Sequence, residues 1–262
     1  MSVISNDIMT RDSNFIFKKL FVPNPDYKCQ DYGISSNFAA VVPNKGALFK
    51  DCKTPHNKKA FLDKLVSIVN HAYTIGEHSM WIENVRTDCK DLEQKLENEV
   101  IILLVKTIHN TKQELELGNI NIDENSITGQ ILCDTKFDIP NKMAEFGMFA
   151  IQEKYQKLGL GNFLVIAAEE RAKMCGCQKL QCEVLSPVDF EHDVKKRLKQ
   201  WYQKLGYKKE IERDKDGNPI LLDDGTEKSK NFFYTFFKST FPHLASNLSG
   251  ECRLEVFVKE LL

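Results

Sequence analysis

The stretch Phe146-Gly147-Met148-Phe149-Ala150-Ile151-Gln152-Glu153-Lys154-Tyr155-Gln156-Lys157-Leu158-Gly159-Leu160-Gly161-Asn162 decides the fold. From Glu145 to Ile151 it reads as a strand, and after Gly159 as a helix. Leu160, Phe163, Leu164, Ala167 and Ala168 make one apolar stripe, which Gly176 ends. A Gly-containing turn at a helix start aims several unpaired N–H groups at one spot. The helix dipole adds partial positive charge there, and two glycines let a phosphate approach without a Cβ in the way. A pyrophosphate is a natural guest. Two other phosphate loops fail on the residues. A Walker loop needs Lys-Ser or Lys-Thr where Asn162-Phe163 stands, and a Rossmann fingerprint needs a third glycine.

Working outward, Lys179 to Leu185 reads as the next strand. Val194, Leu198, Trp201, Tyr202 and Leu205 mark an amphipathic helix closed by Gly206, followed by a strand from Tyr207 to Glu212. Residues 214–230 are highly charged with two Asp-Gly turns. Asn231 to Leu248 is aromatic and reads as a short helix, and Arg253 to Val258 as a closing strand. Upstream, Ile127 to Cys133 and Val100 to Val105 read as strands, with a polar loop from Asn110 to Asn125 between them. Cys89 to Glu97 reads as a short helix. Phe61, Leu62, Leu65, Ile68, Val69 and Ala72 give an amphipathic helix, and Ala47 to Cys52 a short strand. Residues 1–44 form an N-terminal extension packed on a main domain of 45–262. The whole is mixed α+β around one sheet.

Composition narrows the function. With 42% hydrophobic residues and 28% charged, 262 residues can bury a core. The formal net charge of -1 offers no global basic field, so no nucleic-acid partner is expected. Val100 to Val105 is too short to span a bilayer, so no membrane partner is expected. No apolar block runs through the first twenty residues, so no signal peptide is expected. The eight cysteines read as reduced thiols, which points to a cytoplasmic protein with the nucleus left open. Cys175-Gly176-Cys177 with Cys182 lacks the partners for a zinc site, and the six histidines form no HExxH pattern, so no metal is expected. Lys195-Lys196-Arg197 with Lys199 reads as a solvated helix face, or else as a contact for a cofactor phosphate.

Gln156-x-x-Gly159-x-Gly161 resembles the Q/R-x-x-G-x-G/A motif of the GNAT acetyltransferase superfamily, and Glu145–Ile151 resembles that family's fourth strand. Downstream, Trp201-Tyr202-Gln203-Lys204-Leu205-Gly206-Tyr207 resembles the family's second signature, a Tyr four residues before a Gly-aromatic pair. The resemblance covers about residues 45 to 262 and is strongest over 145 to 207. It implies the GNAT fold, a twisted, mostly antiparallel mixed sheet with helices on both faces, splayed between its fourth and fifth strands. Those strands are Glu145–Ile151 and Lys179–Leu185 here. It also implies acetyl-CoA as cosubstrate. The pantetheine would pair with main-chain groups of Phe149, Ala150 and Ile151. The pyrophosphate would sit on Lys157, Leu158, Gly159, Leu160, Gly161 and Asn162, with Gln156 opening the turn.

The resemblance further implies a proton acceptor at Glu145, with Glu183 in reserve, and a general acid at Tyr202 for the leaving thiolate. An acceptor is useful because a lysine-like amine is neutral only about once in a thousand at pH 7. Main-chain N–H groups near Phe149 would stabilise the oxyanion. Tyr73, Glu77 and Trp81 are weak substrate-site candidates, as is Glu183. The expected activity is N-acetylation of a small amine or amino acid by direct attack in a ternary complex. A protein acetyltransferase and a non-catalytic CoA-binding or interaction module are the alternatives. The acceptor and the oligomeric state stay open.

Overall fold

The computed structural model describes residues 17–21, 38–43, 55–78, 80, 85–106, 124–223, 225, 227–228 and 252–261. Its strands are β1 (Phe17–Phe21), β2 (Phe38–Pro43), β3 (Ile101–Lys106), β4 (Ile127–Asp138), β5 (Met143–Ile151), β6 (Lys179–Pro187), β7 (Lys208–Lys209) and β8 (Cys252–Glu260). Its helices are α1 (Pro55–Gly76), α2 (Cys89–Glu97), α3 (Leu160–Met174) and α4 (Asp193–Lys204). The segments expected at 47–52 and 231–248, and nearly all of the 110–125 loop, lie outside the described residues. Tyr207–Glu212 contributes only the two-residue β7. Ile127–Cys133 extends to Asp138, with residues 134–138 forming the less buried end of the strand.

The described residues fall into two compact units, one drawn from 1–68, 87–131 and 151–167, the other from 69–86, 132–150 and 168–262. In the first, the strand order is β1-β2-β3-β4. β2 pairs antiparallel with β3, from Phe38↔Lys106 to Val41↔Leu103. Phe38 to Val42 and Ile101 to Val105 are buried without a break, the pattern of strands covered on both faces. Residues ahead of position 44 therefore supply strands of the sheet. Phe61, Leu62, Leu65 and Ile68 of α1 are buried, as the apolar spacing predicts, and so are Leu92 and Leu96 of α2. Asp88 caps α2 by accepting from the Asp91 N–H at 2.8 Å.

In the second unit the order is β4-β5-β6-β8-β7. β5 and β6 are parallel, and β6–β8 and β7–β8 are antiparallel. A parallel pair needs a long crossover, and the chain from 152 to 178, containing α3, provides it. The mixed, mostly antiparallel α+β sheet agrees with the expectation. β8 pairs with all of β6, from Lys179↔Glu260 to Pro187↔Cys252. Tyr207 is buried and donates from its hydroxyl to Glu169 Oε1 at 3.0 Å, while Lys259 Nζ meets the same carboxylate at 2.8 Å. That closed network satisfies a carboxylate that burial would otherwise penalise.

Candidate active site

Two local departures from regular backbone mark the candidate residues, one in each unit. The first is in β5. Its pairing with β6 runs Met143↔Lys179, Ala144↔Leu180, Glu145↔Gln181 and Phe146↔Cys182, and stops there, although both strands continue. Met148 then takes φ +43°, a left-handed conformation that a bulky residue adopts only under local constraint. Gly147 beside it has open space where a Cβ would stand. Beyond Phe146 and Cys182 the two strands thus part, the splay expected between the fourth and fifth strands of the family.

The second departure is the turn that follows β5. Gln156 Nε2 donates to Ile151 O at 3.1 Å and closes the turn on the strand that feeds it. Gln152 fastens the same strand end, its main-chain N–H donating to Thr128 O at 2.9 Å and its Nε2 to Ile127 O at 2.6 Å. Lys157 has φ +62° and Gly159 φ +78°. Only glycine takes the latter without strain, so Gly159 is required by geometry. Leu160 starts α3, whose first turn leaves its N–H groups without intrahelical carbonyls. Leu158 is exposed, and Gly161 and Asn162 are half-buried at the helix start.

The titratable residues sit in the second unit. In the pleat of β5, Ala144, Phe146, Met148 and Ala150 are buried, while Glu145 and Phe149 occupy the partly open face. Parallel register puts Gln181 beside Glu145, and Glu183 two residues farther along β6 on the same face. Burial pushes the Glu145 carboxyl up to about 8, and the Glu183 charge adds to the rise. Gln181 opposes it only weakly, since its Nε2 makes no full hydrogen bond among the described residues. Glu183 is open to water yet hemmed in by protein, and burial raises its carboxyl while the Arg86 guanidinium lowers it.

Arg86 enters from the segment after α1. Its main-chain N–H donates to Asn70 Oδ1 at 2.9 Å, and its guanidinium lies 4.9 Å from the centre of the Tyr73 ring. The Tyr73 oxygen receives hydrogen bonds from Arg86 and from the main chain of Met148, the left-handed residue of β5. Burial nevertheless raises the Tyr73 phenol.

Tyr202 is 4% exposed. Its ring packs edge-on to Phe146 at 5.6 Å and tilted against Trp201 at 5.1 Å. Burial, with Cys182 and Tyr73 adding to it, holds the phenol firmly protonated. Trp201 stacks on Phe149 at 5.6 Å. Packing and a protonated hydroxyl coexist here, because the ring is in the core while Tyr73 and the buried Cys182 are its electrostatic neighbours.

Within the second unit the Glu183 charge acts on Glu145, Arg86 acts on Glu183 and on Tyr73, and Tyr73 acts on Tyr202, whose ring packs on Phe146 of the buried face of β5. Glu77 is elsewhere. Its carboxylate is buried in an ion pair with Lys195 at 2.7 Å, with side-chain exposures of 5% and 8%. Lys195 therefore departs from the solvated helix face expected for residues 195–199, because the Glu77 charge compensates its burial. Lys199 likewise meets the buried Glu255 at 2.6 Å. Trp81 lies outside the described residues. Gln181 went unnoticed in the sequence, whereas Arg86-Thr87 stands there with Asn70–Tyr73 and Gly76-Glu77 in a stretch that resembles family members acting on small amines, with no role assigned to Arg86 itself. Register with Glu145 marks Gln181. Among the described residues no group of three or more His, Cys, Asp or Glu could hold a metal ion, and no helix is long and apolar enough to cross a membrane.

Residues 87–207 match the model of the acetyltransferase (GNAT) family. This stretch, with the strand splay, the glycine turn and Tyr202 inside it, is a GNAT-family acetyltransferase domain. No curated protein matches the chain. Among solved structures, smu.2055 from Streptococcus mutans is 17% identical with a TM-score of 0.45, over 77% of this chain and 94% of that one. The yncA protein of Salmonella typhimurium, solved with acetyl-CoA, is 14% identical with a TM-score of 0.44, over 78% and 90%. An aminoglycoside 6'-N-acetyltransferase complexed with coenzyme A is 13% identical with a TM-score of 0.45, over 81% and 94%. With every TM-score below 0.5, the chemistry is read from this chain's own residues.

Proposed function

We propose that this protein is an acetyl-CoA-dependent N-acetyltransferase acting on the primary amine of a small molecule. One observation carries the reading: a carboxyl raised to about 8, Glu145, sits on the strand that ends in the Lys157–Asn162 turn. The turn residues fit a pyrophosphate, since a left-handed glycine and a helix start offer main-chain donors and partial positive charge. The β5 main chain from Phe149 to Ile151 fits the pantetheine amides, because β6 pairs with β5 only as far as Phe146. Bound acetyl-CoA supplies an acetyl group activated as a thioester.

This chain's residues supply the proton transfers. Glu145, once ionised, takes a proton from the incoming ammonium, directly or through water, so that a neutral nitrogen lone pair attacks the acetyl carbon. The N–C bond forms as the C–S bond breaks, and the electron pair leaves on sulfur. Tyr202, kept protonated by burial, donates a proton to that sulfur, and the second proton of the acylated nitrogen passes through water back to the tyrosinate. The Glu183 carboxylate adds negative charge that favours a cationic acceptor.

Thiol release measured over a panel of small amines, amino acids and peptides tests the reading. Turnover of small amines is expected. Turnover of peptides alone would reverse it in favour of a protein acetyltransferase, and acetyl-CoA binding without any turnover would favour a non-catalytic module.

A further inference from the structure

We infer that the acceptor is a free amino acid or a close analogue, and that Arg86 receives its carboxylate while Glu183 receives its ammonium group. The inference rests on the acetyltransferase reading and narrows its substrate class.

The argument starts from the charges at hand. Glu145 and Glu183 share one face of the β5–β6 pair. A site for a simple amine needs nothing more than such carboxylates. Arg86 is the cation that acts electrostatically on Glu183, and among the described residues no other cation acts on either carboxylate. A guanidinium there would repel a bare ammonium, so it works against an amine that lacks a negative group. A zwitterion resolves the conflict. Its two charges are separated by two bonds from one carbon, and a neighbouring Arg–Glu pair presents the complementary pattern.

Arg86 is also held as a recognition group must be. Asn70 fixes its main chain, and its side chain is braced on the Tyr73 ring and oxygen. A guanidinium has five donors in a planar fork, so the Tyr73 contact leaves donors for a carboxylate. Glu77 cannot take the ammonium role, because Lys195 already holds it in a buried pair. Glu183, open to water, can.

The test compares free amino acids with their decarboxylated amines and their carboxamides as acceptors for the full-length protein. It uses wild type, Arg86→Gln and Arg86→Lys, with acetyl-CoA affinity measured by calorimetry on each. In wild type, kcat/KM is expected to favour the free acid over the matched amine and amide by roughly 10- to 100-fold, the range of a charge-assisted hydrogen bond. Arg86→Gln should abolish that ratio and Arg86→Lys should keep part of it, both with acetyl-CoA affinity unchanged. Equal or better use of the amines by wild type would overturn the inference, as would an equal loss on acid and amine in Arg86→Gln. Acetyl-CoA binding with no acceptor turned over would also overturn it, leaving the cofactor reading intact. Absence of acetyl-CoA binding would remove the underlying reading itself.

Discussion

Glu145 must lose a proton before it can act as a base, and its surroundings make that hard at neutral pH. Burial and the Glu183 charge set the ionisation near 8. The acid limb of kcat/KM should therefore fall near pH 8. Glu145→Gln should cost about 10²–10⁴-fold in kcat/KM. The same substitution should stabilise the fold. A carboxyl whose folded value lies above its unfolded one costs stability as pH rises between the two. The penalty is absent below about 4.5 and complete above about 8. The gain in Glu145→Gln should thus grow through that window to an order of a few kcal/mol in denaturant melts. A variant no more stable at pH 9 than at pH 4 would contradict the assigned environment. Glu183→Gln removes the repulsion, so its acid limb should move to lower pH. An unmoved limb would mean that the two carboxylates do not interact.

At the scale of elements, α4 presents Trp201 and Tyr202 to β5 and is tied at its other end to the segment after α1. The tie is the buried Glu77–Lys195 pair, joined by His192 Nε2 against the His78 carbonyl at 3.0 Å. Breaking such a pair leaves one buried charge uncompensated, so Lys195→Met should cost about 3–5 kcal/mol. Glu77→Leu added to Lys195→Met should recover most of that, since neither charge is then stranded. Urea unfolding of the single and double variants measures it; an additive double loss would show that the two side chains do not act as a pair.

The elements were largely legible in the sequence because their apolar spacing is strong. The stripe of α3 and the unbroken apolar run of β3 fall where periodicity puts them. Glu145 and Tyr202 were singled out through the motifs around them, and burial raises the ionisation of both. Arg86 stood in the sequence only as part of a loose resemblance, since its surroundings come from α1, β5 and β6 meeting across long sequence separations, which no local pattern encodes. Lys195 was misread for a related reason: a basic run on a helix looks solvated until a distant carboxylate is known to face one member of it.

For the whole molecule, the N-terminal residues matter more than their remoteness from the motifs suggests. β2 forms four register pairs with β3, and Phe38 to Val42 are buried. We propose that residues 1–44 are integral to the domain. Deleting them would expose the unpaired edge and apolar faces of β3 to water, and should yield insoluble protein or a melting temperature lower by several degrees at least. Unchanged melting of the truncated chain would contradict this.

The measurement closest to the heart of the account is a calorimetric titration of folded, full-length protein with acetyl-CoA, beside Gly159→Val. The account predicts saturable one-to-one binding for the native chain. It predicts at least tenfold weaker binding for the variant, whose Cβ-branched residue cannot hold φ +78° without strain. Native protein that gives no binding heat, or a variant that binds as tightly as the native chain, would contradict it.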